Sequence, residues 1–477
     1  MTDRSDLHIN RKARLKIPRQ PIGKQAPESR IGNWDEVYQP ISLEIAKAEA
    51  MRCIQCPAAP CIKACPADND IPGALWKLEH GDAFGAAETF YETNNLPEMC
   101  GRLCPQESLC EGSCVVGKNA QPVAIGRLEA FAADHYRENG GYEVDSLPPA
   151  TGQRIAVIGA GPAGLAVAEE LAKKGHSITI FDSWSEAGGV LLYGIPNFKM
   201  QKEILDAKLD YLWQLGITFI GDTYIGRDLT IDQLFEQGYH AVFLGFGASQ
   251  GNDLELPGGD LPGVIQATEY LVRGNLKLEQ LPEAMREPLP QSERVLVIGG
   301  GDTSMDCVRT ALRLGANEVT CAYRRTEAEQ RGRVEERVHA LEEGIRFEYL
   351  AAPLRFEAGA DGRVARMQFG RMELGEPDES GRRRPVPTGE EFTVAADTVV
   401  IAIGYHIDEE LTEAASVVSQ HGTVVIDRET GRTSRPGVFA GGDCVNGADL
   451  VVTALADGRR AAKAIDCYLI CEREAVA

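Results

Sequence analysis

Two short runs of hydrophobic residues have the length of buried parallel β-strands, one at 155–158 and one in the segment that begins at Arg294. Each run leads directly into a glycine-rich turn. After the turn, apolar residues recur with helical spacing until a second apolar run begins. This repeated order of strand, turn, helix and strand predicts an α/β fold with two Rossmann-like dinucleotide-binding domains.

The chain before these runs has a different pattern. Between 71 and 97, apolar residues recur with helical spacing and are interrupted by glycines and by an Asn-Asn pair. A proline-marked linker follows at 143–153. We therefore predict that residues 1–145 form a helical domain that precedes the α/β part of the chain.

Composition and charge exclude several classes of partner. Lys and Arg total 49 against 71 Asp and Glu, a net charge of -22, which disfavours binding to nucleic acid and to anionic membranes. The N-terminus lacks the apolar segment of a signal peptide, and the longest apolar runs, such as 398–404, are too short to cross a bilayer. We expect a cytoplasmic protein with reduced thiols.

The cysteines are concentrated near the N-terminus, where eight of the thirteen lie between 53 and 114. Cys53 and Cys56 have the two-residue gap that is typical of a zinc-binding pair, but the other neighbours do not. Proline directly follows Cys65 and Cys104, as in ferredoxin-type iron–sulfur motifs. Spacing therefore favours iron–sulfur clusters over zinc. The five later cysteines are expected to be small buried residues.

The first glycine turn carries a complete dinucleotide fingerprint. Gly159 permits the tight turn, Gly161 lets the backbone approach a pyrophosphate, and Gly164 allows the helix to pack on the strand. Asp182 ends the next strand, where a carboxylate can accept hydrogen bonds from a ribose. The strand, the helix and the acid together predict a bound dinucleotide rather than an empty turn.

The second glycine turn has Gly299 and Gly301, with Ser304 as a small residue at the third position. Here the second strand ends in Arg324 and Arg325 instead of an acid. Arginines at this position suit the 2′-phosphate of NADP. The alternative is that both arginines merely solvate a strand end.

Two dinucleotide sites in one chain imply a resident flavin and an exchanging nicotinamide. Gly442 and Asp443 lie in a late strand–helix element, which in two-dinucleotide flavoproteins completes the flavin domain after the nicotinamide domain. We predict a discontinuous FAD-binding domain over 152–290 and 406–477. The NADP-binding domain, over 291–405, is expected to be inserted in it.

Several longer stretches carry a family resemblance that covers nearly the whole chain, among them "NNLPEMCGRLCPQESLCEGSC", "GGVLLYGIPNFKM" and "VIGGGDTSMDCVRTA". The chain resembles the small (beta) subunit of bacterial glutamate synthase. It is also similar to the N-terminal half of dihydropyrimidine dehydrogenase and to the large subunit of NADH-dependent ferredoxin:NADP oxidoreductase. The resemblance implies FAD, NADP(H) and two 4Fe-4S clusters as cofactors.

The resemblance also implies the cluster ligands. One ligand is a carboxylate in the element "IGRLE", which points to Glu129. Cys100 matches a family cysteine that is not a ligand, and thiol counting leaves it as the alternative to Glu129. The implied ligands of the first cluster are Cys53, Cys56, Cys61 and Cys114, and those of the second are Cys65, Cys104, Cys110 and Glu129.

The dinucleotide contacts follow from the same resemblance. Arg331 stands where glutamate synthase subunits have another residue and where dihydropyrimidine dehydrogenase has an arginine, which strengthens the prediction of NADP. The implied flavin contacts are Gly161, Ala163, Gly164, Asp182, Gly189, Lys199, Gly442 and Asp443, and the glycine fingerprint adds Gly159. The implied nicotinamide contacts are Gly299, Gly301, Asp302, Thr303, Arg324, Arg325 and Arg331.

The resemblance implies that NADPH reduces FAD and that electrons pass through the clusters to a redox partner subunit, which in glutamate synthase is the large subunit. An alternative is a stand-alone or bifurcating subunit that serves a ferredoxin-like or other enzyme. A scaffold without turnover is disfavoured by the intact "GGGDTSMDC". No acid–base catalyst is predicted. The basic stretch 11–19 is expected to be a solvated tail, with docking to an acidic partner as the alternative.

Overall fold

A computed structural model describes residues 9–144, 146–377 and 383–476. The part before residue 145 is helical, as the sequence predicts, with an isolated bridge between Lys24 and Tyr38. Asp70 and Asp82 cap two of its central helices. The helices are α1 (Arg11–Arg14), α2 (Pro27–Arg30), α3 (Leu43–Ala50), α4 (Pro60–Lys63), α5 (Ile71–Glu79), α6 (Ala83–Tyr91), α7 (Pro97–Leu103) and α8 (Ile125–Glu138).

A hydrophobic core joins these helices to the cysteines. Leu75 and Leu78 of α5, Phe90 of α6 and Leu128 of α8 are fully buried in it. Cysteine side chains of the segment 53–114 pack against the same core. The helical part therefore surrounds its thiols with apolar side chains, which excludes water from them.

The first glycine turn belongs to a parallel five-stranded sheet. The segment of the chain that contains this turn ends with a short strand, β5, which lies outside the sheet. The elements of this segment are β1 (Arg154–Ile158), α9 (Pro162–Ala172), β2 (Ser177–Phe181), α10 (Val190–Tyr193), α11 (Lys202–Gln214), β3 (Thr218–Ile220), α12 (Ile231–Glu236), β4 (Ala241–Leu244) and β5 (Gln250–Gly251).

The second glycine turn belongs to another parallel five-stranded sheet, which an antiparallel three-stranded sheet accompanies. These elements are β6 (Val264–Gln266), α13 (Ala267–Asn275), β7 (Arg294–Ile298), α14 (Asp302–Arg313), β8 (Glu318–Tyr323), α15 (Val334–Glu342), β9 (Arg346–Tyr349), β10 (Ala351–Ala358), β11 (Val364–Pro377), β12 (Arg383–Ala395) and β13 (Thr398–Ile401).

The C-terminal segment returns to the first sheet. Its strand β17 pairs in parallel with β4, so that the strand order is β17-β4-β1-β2-β3. The long final helix packs on α9 so closely that a Cβ atom on Gly458 would lie 2.3 Å from the carbonyl oxygen of Ala163. The elements are β14 (Tyr405–His406), α16 (Glu409–Ala414), β15 (Ser419–Gln420), β16 (Thr423–Val424), β17 (Val438–Ala440), α17 (Asp443–Asn446) and α18 (Val451–Val476).

One strand lies outside the sheet that its sequence position suggests. β6 falls within the range 152–290, yet it pairs with β13 in the second sheet, whose order is β6-β13-β7-β8-β9. A strand of three residues has too little periodicity for its sheet to be read from sequence. The domain boundaries given above stay predictions.

Two further findings concern the surface. None of the helices in the described parts of the chain is both long and apolar enough to cross a membrane. Cys307, Cys321 and Cys444 are buried, as expected, but the expectation is wrong for Cys467, which is exposed. Cys467 lies on the outer face of α18, and the side chain of Cys471 lies outside the described residues.

Candidate functional site

A cavity of about 910 Å³ extends between the two glycine turns. All predicted dinucleotide contacts line it except Gly164 and Gly442. Its walls come from both parallel sheets, at the carboxyl ends of their strands, where α/β proteins bind ligands. The predicted contacts that line it are Gly159, Gly161, Ala163, Asp182, Gly189, Lys199, Gly299, Gly301, Asp302, Thr303, Arg324, Arg325, Arg331 and Asp443.

The glycines of the first turn have separate tasks. Gly159 has a φ of +100°, which favours glycine. A Cβ atom on Gly164 would lie only 1.9 Å from the carbonyl oxygen of Gly159, so helix and turn require glycine there. A Cβ atom on Gly161 would meet no protein atom within 4 Å. Gly161 therefore faces the open cavity, which leaves room for a pyrophosphate at the start of α9.

Asp182 holds the first turn in place. One carboxylate oxygen accepts a hydrogen bond from the amide of Ala160 at 2.6 Å, and the other accepts one from Trp184 at 2.9 Å. Burial raises the pKa of Asp182, although these hydrogen bonds oppose the shift. A carboxylate accepts about four hydrogen bonds, so lone pairs remain for a ribose in the cavity.

Two elements close the first half of the cavity. Gly189 has a φ of +52°, and its Cβ position lies 2.8 Å from the Cα atom of Gly161. Asp443 begins α17 at the cavity wall, where burial raises its pKa to about 7. Gly442 does not line the cavity; its amide donates to Asp457 at 3.0 Å and so fixes the turn before α17.

The second turn repeats this design with a serine. Gly299 has a φ of +151°, and a Cβ atom there would lie 2.2 Å from the carbonyl oxygen of Ala402. Ser304 is buried and donates its hydroxyl to that same carbonyl at 3.3 Å. Gly301 has open space, as Gly161 has. The small side chain of Ser304 thus replaces the third glycine without separating helix and strand.

The three predicted phosphate-binding arginines line one end of the cavity. Arg324 and Arg331 are exposed, whereas Arg325 is buried. The Nε atom of Arg325 is buried and has no hydrogen-bond partner among the described residues. A buried donor without an acceptor is unfavourable, so this guanidinium fits an anion such as a 2′-phosphate.

Lys199 has a partner that sequence did not indicate. Its ammonium lies 2.8 Å from a carboxylate oxygen of Asp306 on α14, and both residues line the cavity. Burial raises the pKa of Asp306 to about 6, against the opposing charge of Lys199. Because Lys199 follows α10 near the first sheet, this ion pair joins the two halves of the cavity.

The N-terminal cysteines fold into two sets. A small cavity of about 20 Å³ is lined by Cys53, Cys56, Cys61 and Cys114. Burial raises the pKa of Cys53 and of Cys61 to about 12, and neighbouring thiols of the set add to the rise. Four convergent thiols in apolar surroundings are a donor set that suits an iron–sulfur cluster.

The second set contains Cys65, Cys104, Cys110 and Glu129. Burial raises the pKa of Cys65 and Cys110, and the charges of Glu129 and Cys104 raise both further. The structure thus brings together the residues that the family resemblance groups, although only Cys104 and Cys110 are close in sequence. Their roles as ligands remain predictions.

Cys100 lies beside the second set and is the alternative to Glu129 as its fourth member. Glu129 is buried on α8, and one carboxylate oxygen accepts hydrogen bonds from Asn69 and Asn94, each at 3.0 Å. Burial raises the pKa of Glu129 to about 8. Cys100 is buried on α7 and directs its thiol to Asn94 at 3.8 Å. Position alone therefore leaves both as candidates for the fourth ligand.

Single-ion metal sites depend on side chains that converge on one centre. Within the described ranges, no group of three or more His, Cys, Asp or Glu side chains is arranged to hold one metal ion. A zinc ion needs four donors at about 2.3 Å from one centre, whereas a cubane cluster distributes its ligands over four iron atoms.

Two arginines of the basic N-terminal stretch are bound to the rest of the chain, whereas Lys12 and Lys16 are exposed. Arg14 donates to the carbonyl oxygen of Cys53 at 2.8 Å and pairs with Glu79 at 2.6 Å. Arg11 donates to the carbonyl oxygen of Ile54 at 3.1 Å. The expectation is therefore wrong for Arg11 and Arg14, because buried carbonyls and a carboxylate near the first thiol set bind them.

Other cavity residues were missed by sequence reasoning. Asp306, Thr268 and Tyr405 line the cavity between the two glycine turns. Tyr405 follows a buried parallel strand. Because α/β proteins bind ligands at the carboxyl ends of such strands, this position could have indicated Tyr405 as a cavity residue. Asp306 lies inside a helix and Thr268 at a helix start, where no motif marks them.

Comparison with known proteins was consistent with this arrangement. Residues 30–141 match the family described as "Dihydroprymidine dehydrogenase domain II, 4Fe-4S cluster". Residues 153–458 match the family "Pyridine nucleotide-disulphide oxidoreductase". The second match covers more than half of the chain, in the region of both glycine turns.

Curated relatives match most of this chain. The glutamate synthase [NADPH] small chain of Escherichia coli (strain K12) is 42% identical over 464 residues, which cover 96% of this chain and 97% of the relative. The corresponding chain of Azospirillum brasilense is 38% identical over 465 residues, covering 96% of each. The NADP(+)-dependent formate dehydrogenase subunit beta of Moorella thermoacetica is 38% identical, covering 86% of this chain and 60% of the relative.

A solved structure shares the fold. Mycobacterium tuberculosis FprA in complex with NADPH is 20% identical, with a TM-score of 0.58, over 69% of this chain and 86% of that chain. At this level of identity the similarity establishes the fold of the α/β part.

Proposed function

The chain belongs to the glutamate synthase small-chain family of NADPH-dependent iron–sulfur flavoprotein oxidoreductases, and we propose that it delivers electrons from NADPH to a partner subunit that makes glutamate. The observation that carries the proposal is the cavity of about 910 Å³, lined by both glycine turns and by three arginines. FAD supplies hydride acceptance and the release of single electrons, and iron–sulfur clusters carry those electrons onward.

The residues of the chain orient both dinucleotides. In our proposal Gly161 and the start of α9 bind the FAD pyrophosphate, and Asp182 accepts hydrogen bonds from the ribose. Gly301 and Asp302 begin the helix that binds the NADP pyrophosphate. Arg325, with Arg324 and Arg331, pairs with the 2′-phosphate.

A short packed route leads from the cavity to the second thiol set. Leu103 lines the cavity, and the next residue is Cys104. Cys65, Leu103 and Cys104 pack against the hydrophobic core of the first sheet. We propose that Cys65, Cys104, Cys110 and Glu129 would hold the cluster nearer to the FAD, and that Cys53, Cys56, Cys61 and Cys114 would hold the other cluster, which could pass electrons to a partner.

The cofactor content tests the proposal. Anaerobically purified protein should contain one FAD and two 4Fe-4S clusters, or about eight irons per flavin. The variant Cys56→Ser should lose about four irons, while the control variant Cys467→Ser, at an exposed thiol outside both sets, should lose none. Zinc in place of iron, or four irons per flavin in the unmodified protein, would contradict this assignment.

A second candidate function concerns the partner. The similarity to the formate dehydrogenase subunit beta of Moorella thermoacetica favours a flavin subunit that serves another enzyme. Affinity capture from the native cell, followed by identification of the co-purifying chain, separates the two. A glutamate synthase large subunit supports the first function, and another oxidoreductase supports the second. The thiol-rich clusters lead us to place either assembly in the cytoplasm.

A further inference from the structure

The loop that follows the NADP-binding arginines lies against the second glycine turn. The amide of Gly332 donates to the carbonyl oxygen of Gly300 at 3.2 Å. A Cβ atom on Gly332 would lie 3.0 Å from the carbonyl carbon of Gly301. This close approach means that the loop cannot move independently of the turn that faces the nucleotide.

Arg333, the next residue, connects this loop to the cysteine region. Its backbone amide donates to a carboxylate oxygen of Asp302 at 2.8 Å. Its guanidinium donates to the carbonyl oxygen of Arg102 at 2.6 Å and to the side-chain oxygen of Gln106 at 2.6 Å. Arg333 is buried, so these charge-assisted hydrogen bonds are shielded from water.

Gln106 in turn organises the segment between Cys104 and Cys110. Its amide donates to the carbonyl oxygen of Cys104 at 2.9 Å, and its own carbonyl accepts from Glu111 at 2.9 Å and from Gly112 at 3.0 Å. The side chain donates to the carbonyl oxygen of Gly101 at 3.0 Å. A displacement of Arg333 therefore acts on the segment that holds these cysteines.

The charge of Arg333 also reaches the second thiol set. Its guanidinium is bound by the backbone of Arg102, two residues before Cys104, and by the side chain of Gln106, two residues after it. Glu335 at 2.7 Å and Glu107 at 3.9 Å balance part of this charge. A positive charge near a cluster stabilises its reduced form, which carries one more electron.

We propose that Arg333 is a positioning residue that couples occupation of the NADP site to the reduction potential of the cluster at Cys65, Cys104 and Cys110. A phosphate bound by Arg324, Arg325 and Arg331 shifts the position of the loop that contains Arg331 and Gly332. Arg333 transmits that shift to Gln106. The inference rests on the proposed function, because it requires NADP and a cluster at these residues.

The test is a redox titration of the intact, cofactor-loaded protein, followed by EPR, with and without NADP⁺. In the unmodified protein, NADP⁺ should shift the midpoint of one cluster. In Arg333→Gln the midpoint potential of that cluster should fall by about 59 mV, which is a tenfold change in the one-electron equilibrium constant. The response of this potential to NADP⁺ should disappear. The midpoint of the other cluster should not change.

Two further variants separate charge from geometry. Arg333→Lys keeps the charge but cannot donate to both acceptors in the planar geometry of a guanidinium, so its midpoint should stay near that of the unmodified protein while the NADP⁺ response is lost. Arg337→Gln is the control, because Arg337 lies on α15, which begins directly after Arg333, but pairs with Glu327 at 3.1 Å. It should retain both the midpoint and the response.

The outcomes distinguish this inference from the proposed function. Unmodified protein without clusters would overturn the proposed function. Unmodified protein with both clusters but no response to NADP⁺ would overturn the coupling alone, as would Arg333→Gln with an unchanged midpoint and response. If Arg333→Gln does not assemble its second cluster, Arg333→Lys decides, and a retained NADP⁺ response in that variant rejects the inference.

Discussion

At the scale of single residues, coenzyme choice depends on how the arginines are buried. Arg325 has a buried Nε atom without an acceptor among the described side chains, and an unpaired buried donor costs about 1–3 kcal/mol. Arg324 and Arg331 remain exposed at the same end of the cavity. An incoming phosphate would satisfy the buried donor and pair with two solvated charges.

Replacing Arg324 and Arg325 by glutamine should raise the KM for NADPH at least tenfold, since each contact between an arginine and a phosphate contributes roughly 1.5–3 kcal/mol. Turnover with NADH should change little. Steady-state kinetics with both coenzymes measures the effect. Arg346→Gln, an exposed arginine on β9 outside the cavity, is the control. A preference of the unmodified protein for NADH would refute the assignment.

The fourth ligand of the second cluster is a separate residue-scale question. Glu129→Ala should abolish or alter one cluster signal in EPR spectra of the reduced protein, because it removes a buried carboxylate beside Cys65, Cys104 and Cys110. Cys100→Ala is the matched variant and should leave both signals intact. The reverse result would assign the role to Cys100, and normal spectra from both variants would mean that the ligand sets are wrong.

At the scale of elements, the start of α9 combines two kinds of glycine. Gly164 has no room for a Cβ atom because the carbonyl oxygen of Gly159 would lie 1.9 Å away, whereas Gly161 has no protein atom within reach. The packing of the helix on its own turn therefore requires glycine at position 164. At position 161, a ligand that occupies the space would require glycine.

We therefore expect alanine at these two positions to affect the thermal stability of the FAD-free protein differently. Gly161→Ala should keep the thermal midpoint of the FAD-free protein while losing most of its FAD affinity. Gly164→Ala should lower that midpoint by several degrees, as expected for overpacking that costs about 1–3 kcal/mol. Differential scanning calorimetry and flavin absorbance measure the two properties. Equal thermal losses in both variants would contradict the distinction.

At the scale of the whole molecule, a buried ion-pair network joins distant parts of the chain. Glu343 pairs with Arg30 of the N-terminal arm at 2.7 Å, with Arg309 at 2.8 Å and with Arg313 at 3.2 Å. Burial alone would raise the pKa of Glu343, but hydrogen bonds and charges from Arg309 and Arg313 outweigh it and lower the pKa to about 2. The network attaches the N-terminal arm to the second parallel sheet's helices.

This network predicts a loss of stability in acid. Because the pKa of Glu343 is lower in the folded protein than its ordinary value of 4.5, its contribution is complete above about pH 4.5 and is lost as the pH falls toward 2. The difference amounts to about 3 kcal/mol. Glu343→Gln should be less stable at pH 7 and should lose less stability between pH 4.5 and 2 in urea denaturation.

The neighbouring Glu342→Gln provides the comparison, because Glu342 is partly exposed and pairs with Arg30, which also pairs with Glu343. Burial raises the pKa of Glu342, but the hydrogen bond and the charge of Arg30 outweigh it and lower the pKa. Because solvent weakens an ion pair at an exposed carboxylate, the acid profile of Glu342→Gln should change less than that of Glu343→Gln. An acid profile of Glu343→Gln that is identical to that of the unmodified protein would show that the network does not govern this transition.

Features that depend on residues close in sequence were predictable. The glycine turns, the acid at the end of β2 and the arginines at the end of β8 are each limited by the geometry of a few consecutive residues, so residue type reveals them. Cysteine spacing likewise indicated iron–sulfur chemistry, in agreement with the 4Fe-4S family match. The parallel α/β architecture followed from short apolar runs joined to glycine turns.

Features that depend on contacts between distant residues required the tertiary structure. The pairing of β6 with β13, the docking of Arg14 on Cys53 and the ion pair of Lys199 with Asp306 join segments that no local period connects. The hydrogen bond between Arg333 and Gln106 is also a long-range contact, and the residues next to Arg333 in the sequence do not predict it. Burial and long-range hydrogen bonds arise only when separate elements pack, and packing determines which charged side chains meet.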